Sequence, residues 1–146
     1  MTEVETTLAK LLVVRENHED ENGTTLRFQQ GDPGRLALSD ANYESYLRLA
    51  RRSQERRHPV GVSFGEGHII TKIVRADNDM LLQLWEETPD HLRVIFQGHD
   101  GVFRLEPNHP ESVRVREVLG EALRQKTQVW FIAQKPNLVL LDVLPA

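Results

Sequence analysis

The sequence contains no cysteine. Disulfide cross-links, thiolate metal sites and thiol catalysis are therefore excluded. Aromatic residues are scarce at 6%, with 2 Trp and 2 Tyr, so the core must be largely aliphatic and each ring is worth locating. No apolar run approaches the roughly 20 residues that a membrane-spanning helix needs. Charge of one sign is also lacking. The 18 Lys and Arg face 22 Asp and Glu, for a net charge of −4, which argues against a general affinity for nucleic acid. No glycine-rich phosphate loop, Gly-x-Ser-x-Gly elbow or dinucleotide fingerprint occurs, and no two His stand at i, i+4. Asp77-Asn78-Asp79 begins like a calcium loop, but the glycine and distant Glu of such a loop are missing. No metal and no cofactor are expected. The first residues, MTEVETTLAKLLVV, place acids before a short apolar run, unlike a signal peptide. A cytoplasmic location without membrane contact is the resulting expectation.

What is present is a soluble, globular composition of 146 residues, 39% hydrophobic and 27% charged, enough for one ordinary domain or two very small ones. Leu8–Val14 and Thr25–Gln29 read as strands around the polar segment ENHEDENG (16–23), which ends in an Asn-Gly turn signal. Gly31-Asp32-Pro33-Gly34 is a further turn before a short strand at Arg35–Leu38. Tyr43, Tyr46, Leu47 and Ala50 then fall at i, i+3, i+4 and i+7, one face of a helix. Ser39 or Asp40 is its expected cap, and Pro59 blocks its continuation. Val60, Val62 and Phe64 alternate as a strand, followed across Gly65-Glu66-Gly67 by His68–Val74.

The remainder repeats this order. Met80–Leu84, Leu92–Gln97 and Val102–Leu105 are strands. Asn108-His109-Pro110-Glu111 starts a helix with the spacing of a capping box. Val115, Val118, Leu119, Ala122 and Leu123 form its apolar stripe. Val129–Ile132 and Leu138–Val143 are the last two strands, joined by Lys135-Pro136-Asn137. Phe28-Gln29 and Phe96-Gln97 match at an offset of 68, Ala50 and Leu119 at 69, and Leu12 and Leu82 at 70. The expectation is an α+β chain of two tandem β-β-β-α-β-β repeats of about 70 residues, 1–76 and 77–146. They would pack together as a pseudo-two-fold, mostly antiparallel sheet or a pair of small barrels with two helices.

A second frame overlaps the repeats. Over residues 59–105, Val60, Val62 and Phe64 alternate, Gly67 follows, Asp77-Asn78-Asp79 precedes Met80–Leu84, and Phe96-Gln97-Gly98 comes later. This pattern resembles an Sm-like small barrel, and the resemblance implies a five-stranded fold and RNA binding. It departs from that family where Gln97 stands in place of an Arg and Lys72 in place of a Gly.

Three groups of residues are candidates for function. Arg48, Arg51, Arg52, Arg56 and Arg57 cluster on the first helix. They suit phosphate groups, or equally a solvated helix face whose arginine stems cover apolar surface. The matching helix carries Arg114, Arg116, Glu117, Glu121 and Arg124, a mixed surface. Of the 6 His, His18, His58, His99 and His109 fall in turns or at element ends, His68 starts a strand and His91 sits in or just before one; His68, His91 or His99 with a nearby Asp define a hydrolase or lyase reading if they converge. His99 sits in Gly98-His99-Asp100-Gly101, where turn chemistry is the simpler account. Trp85 is out of phase with Leu82 and Leu84, so with Phe96 it marks a binding patch. Trp130 lies between Val129 and Phe131 in a run without clean alternation. The favoured reading is a non-catalytic interaction or ligand-binding module with a protein partner or self-association. The alternatives are nucleic-acid binding through the arginine helix, and the His/Asp enzyme.

Overall fold

The computed structural model describes residues 9–88 and 91–146; Leu8, the expected start of the first strand, lies outside them. The architecture is α+β, with two helices and mostly antiparallel sheets. By contacts the chain divides into two compact units, Met1–Ala76 and Asp77–Ala146.

Unit 1 contains β1 (Lys10–Leu12), β2 (Val14–Asp20), β3 (Gly23–Phe28), β4 (Gly34–Ala37), α1 (Tyr43–Arg56), β5 (Val60–Phe64) and β6 (Ile70–Arg75). These form two three-stranded sheets, ordered β1-β5-β6 and β2-β3-β4, and every pairing within them is antiparallel. A parallel bridge between Arg35 and Ile69 connects β4 to the residue before β6. The helix stripe turns inward as expected. Tyr43, Leu47 and Ala50 are buried, and they pack with Val14, Leu26, Leu36, Val62 and Ile70. Polar groups inside this core are satisfied. Thr24 Oγ1 meets the Tyr43 hydroxyl at 2.6 Å. Ser53 Oγ accepts from the Val14 N–H and donates to the His58 carbonyl. The helix ends at Arg57, which takes the left-handed conformation at φ 58° and donates its N–H to the Ser53 carbonyl.

Unit 2 contains β7 (Asp77–Thr88), β8 (His91–Phe96), β9 (Phe103–Leu105), α2 (Ser112–Gln125), β10 (Gln128–Gln134) and β11 (Val139–Pro145). Its five strands close into a barrel in the order β10-β11-β9-β8-β7. The seam between β9 and β11 is parallel, at Arg104 opposite Val139. The pairings correspond to those of unit 1, with β7 in the place of β1 and β2 together. The shared Phe-Gln pair has a structural role in both units. Phe28 and Phe96 are buried, while the N–H groups of Gln29 and Gln97 extend the ladders to the Val13 and Met80 carbonyls. Inside the barrel, Phe96 stacks on Phe131 with ring centres 4.1 Å apart, and Phe103 stands edge-on to both. Val115, Leu119 and Ala122 of α2 join this core. Arg114 ties the helix to β11 by bonding Asp142 and the Val143 carbonyl, and also reaches Glu111. Burial disfavours its charge, yet the bonds to Asp142 and Glu111 outweigh that and hold the guanidinium above its usual pKa.

Several local expectations change. ENHED is part of β2, so the hairpin turns only at Glu21-Asn22. The sequence looks like a loop because both faces of the tip are solvated. Cross-strand pairing and the Arg35–Asp20 and Arg51–Glu19 ion pairs hold it instead. Neither helix has the expected side-chain cap. Asn42 and Glu111 occupy the N-cap positions without a side-chain cap bond. Asp40 instead makes a turn by accepting the Asn42 N–H, and Glu111 bonds Arg114. The 59–105 frame is not one barrel: β5 and β6 pair with β1 in unit 1, whereas β7, β8 and β9 belong to the closed barrel of unit 2.

Candidate functional site

The best-organised polar cluster lies in unit 2, at the start of β7 and the loop after β8. Asp79 occupies an inward position of β7 and is 8% exposed. Its carboxylate accepts from the Met80 N–H at 2.7 Å, the Gly98 N–H at 2.7 Å and His99 Nδ1 at 2.6 Å. The nitrogen on the other side of the His99 ring, Nε2, lies 3.6 Å from Asp77 Oδ1. The imidazole packs edge-on against Phe96, Phe103 and Phe131. Burial alone would raise the Asp79 pKa. The hydrogen bond from His99 and the Gly98 and Met80 N–H groups together exceed that effect and hold it below the ordinary carboxylate value. A carboxylate-oriented imidazole is a common element of proton-transfer sites. Here the carboxylate also serves as the anchor of the β8–β9 loop. The fit is tight at Gly98, where a Cβ would stand 3.2 Å from Asp79 Oδ2, so that a side chain there would require the carboxylate to give by a few tenths of an ångström.

His68 and His91 lie elsewhere. His68 follows β5 in unit 1, 3.9 Å from Asp32 and packed on Phe64. His91 opens β8 and meets Thr88 at 2.7 Å, whereas His99 lies three residues beyond the end of that strand. The two are separated by the length of β8, roughly 20 Å at strand rise. Among the described residues no group of three or more His, Asp or Glu side chains forms a metal site.

A second feature is the outward face of β7, β8 and β9. Trp85, Arg93 and Arg104 form one row across the three strands. On β7, Trp85 is 37% exposed and Leu82 56%; half-buried Ile95 of β8 stands opposite Gln83, and Val102, 46% exposed, directly precedes β9. Leu82 was expected inside with Leu84. The bulge between Leu81 and Gln83 inserts one residue and turns Leu82 outward. Phe96, grouped with Trp85 in the sequence, is 1% exposed and contributes to the core rather than to this face. Trp130 is half-buried. At the rim, Arg93 Nε donates to Glu87, and Arg104 Nε lies 3.3 Å from Glu106 without hydrogen-bond alignment.

No protein-family model, curated protein or solved structure matches the chain.

The third feature is α1. Arg48, Arg51, Arg52 and Arg56 are exposed on the helix, and Arg57 is exposed just past its end. Arg51 pairs with Glu19 of β2. The other four make no ion pair among the described residues. No helix among the described residues is long and apolar enough to cross a membrane. The likeness of Asp77-Asn78-Asp79 to the start of a calcium loop does not point to Asp79 as the partner of His99. Asp79 is in phase with buried Leu81 and not with Leu82 and Leu84, so its inward position is visible only once the bulge between Leu81 and Gln83 is known; an acid there requires a partner.

Proposed function

We propose that the protein is a non-catalytic interaction module that self-associates through the outward face of β7, β8 and β9. The observation that carries this reading is the exposure of Leu82 and Trp85 on β7, with half-buried Ile95 on the adjacent strand, on a barrel whose interior is already filled. Apolar surface of this kind, rimmed by charge, favours a partner that removes it from water. The rim carries both signs, Arg93 and Arg104 with Glu87 and Glu106. A two-fold contact sets each patch against a copy of itself, and a rim of mixed sign is self-complementary under that operation. Light scattering during gel filtration at about 100 µM protein, far above a typical micromolar Kd, tests it. A dimer that Leu82→Glu and Trp85→Glu convert to a folded monomer is the expected result. A wild-type monomer at that concentration removes the self-association reading.

The exposed Arg48, Arg52, Arg56 and Arg57 favour a second reading, binding of single-stranded nucleic acid along α1. It calls for oligonucleotide binding at about 50 mM salt that weakens steeply as salt rises. Absence of binding at low salt dismisses it. A hydrolase or lyase using His68, His91 or His99 draws less support, because His91 and His99 sit at opposite ends of β8 and the His99 ring is held between Asp79 and Asp77.

A further inference from the structure

Unit 1 contains a concavity of about 540 Å³ lined by Val14, Arg15, Gln29, Gln54 and Arg57. We propose that it binds the phosphate group of a small phosphorylated molecule. Ser53 builds the site. Its hydroxyl accepts the Val14 N–H at 3.0 Å and its carbonyl accepts the Arg57 N–H at 2.7 Å. This fixes the start of β2 against the C-terminal end of α1, and so sets Arg15 and Arg57 on the walls of one depression. Arg15 is the extra residue of the bulge between Val14 and Glu16, a device that re-aims a side chain out of the strand's alternation. Gln54 Oε1 accepts from Asn17 Nδ2, which leaves its own amide N–H groups as donors.

The lining is therefore rich in donors and contains no acid. The neighbouring Glu16 lies outside the lining and accepts from His18 at 3.0 Å, and its charge also acts on Arg15, offsetting part of one cation. Two guanidinium groups supply about two positive charges in a geometry suited to oxyanions. The negative end of the α1 dipole opposes an anion with only about half a charge, so the cations prevail. A phosphate monoester carries about −1.5 to −2 at neutral pH and balances both arginines, whereas a carboxylate balances one. The volume falls within the range of small-molecule sites and exceeds what a bare ion fills. The corresponding positions of unit 2, by the offsets of 68 to 70, are Trp85, Gln97, Leu123 and Lys126. One cation and two large apolar groups there make the site a property of unit 1 alone.

The test is a titration of the full chain with glucose 6-phosphate and inorganic phosphate, with glucose and acetate as controls, read from backbone and side-chain amide chemical shifts. Saturable shifts centred on Gln29, Gln54 and Arg57, with a Kd of about 1 mM or tighter for glucose 6-phosphate, are expected. Arg15→Gln with Arg57→Gln should weaken binding at least about tenfold, equivalent to removal of a charge-assisted contact. Arg48→Gln with Arg52→Gln, an equal loss of charge on α1 outside the concavity, should change it by less than about twofold. Retention of the dispersed amide spectrum shows that each variant is folded. Equal weakening by the two double variants, acetate binding as tightly as phosphate, or non-saturating shifts would each overturn the proposal. Oligonucleotide binding that survives loss of Arg15 and Arg57, without glucose 6-phosphate binding, would do so as well.

Discussion

Replacing Asp79 tests whether the Asp79–His99 pair is structural. The carboxylate accepts two backbone N–H groups and His99 Nδ1, all within 2.7 Å. Alanine leaves the three donors without that acceptor. An unsatisfied buried donor costs about 1 to 3 kcal/mol, but Gly98 is exposed and His99 half-buried, so water recovers part of the loss. A total of about 2 to 4 kcal/mol is expected for Asp79→Ala, a large share of the stability of a small unit. Asparagine keeps one acceptor oxygen but turns an N–H group toward another donor, so about 1 to 2 kcal/mol is expected for Asp79→Asn. Both tryptophans, Trp85 and Trp130, lie in unit 2, so tryptophan fluorescence during urea unfolding reports on the affected unit. The pH dependence has a definite sign. The folded pKa of Asp79 lies below its unfolded value, so its ionisation stabilises the fold at neutral pH. That contribution is lost as pH falls through the folded pKa. The wild type should therefore exceed Asp79→Asn most at pH 7, and the gap should narrow below about pH 4. A cost under about 0.5 kcal/mol for Asp79→Ala, or a gap that does not narrow with acid, would refute the structural assignment.

Glycine substitutions should separate two kinds of position. At Gly23, φ is +148° and a Cβ would stand 2.1 Å from the Leu36 carbonyl oxygen, so Gly23→Ala should cost at least about 2 kcal/mol in urea unfolding followed by circular dichroism. Gly120 lies inside α2 with nothing within 4 Å of its missing Cβ, so Gly120→Ala should stabilise unit 2 by about 0.5 to 1 kcal/mol. The Asp20 carboxyl, bonded first by Arg35 and then by the Asn22 N–H, should titrate by NMR at about 2. In Arg35→Gln its midpoint should rise toward the ordinary value of 3.8, because removing the cation removes the leading cause of the depression.

The elements that were legible in the sequence are those whose burial is periodic. Val60 and Val62 are buried on β5, and Tyr43, Leu47 and Ala50 face the core from α1, because one-sided burial imposes a period of 2 or 3.6 on the sequence. Where tertiary partners decide, the pattern fails. The tip of β2 reads as a loop because no side chain there needs to be apolar, and pairing with β3 supplies its order. Leu82 reads as core because the bulge that turns it outward has no signature in the local sequence.

The same limit applies to the candidate sites, and it explains why single residues misled where constellations did not exist along the chain. His99 looked like an active-site residue or a turn residue according to its neighbours in sequence. Its actual partner, Asp79, stands 20 positions away, across a pairing that no spacing rule anticipates. Arg15 and Arg57 are 42 positions apart and share one concavity where α1 is fastened to β2, by Ser53 bonding to Val14 and Arg57 and by Gln54 bonding to Asn17. Ser53 has no recognisable motif, yet it is 2% exposed, and a buried hydroxyl must be satisfied. A polar residue on the apolar stripe of a helix therefore identifies where two elements are fastened together. In unit 2 the matching residue is Ala122, which has no hydroxyl to make that link. The two units can thus share their order of elements while differing in the surface each builds beside its helix.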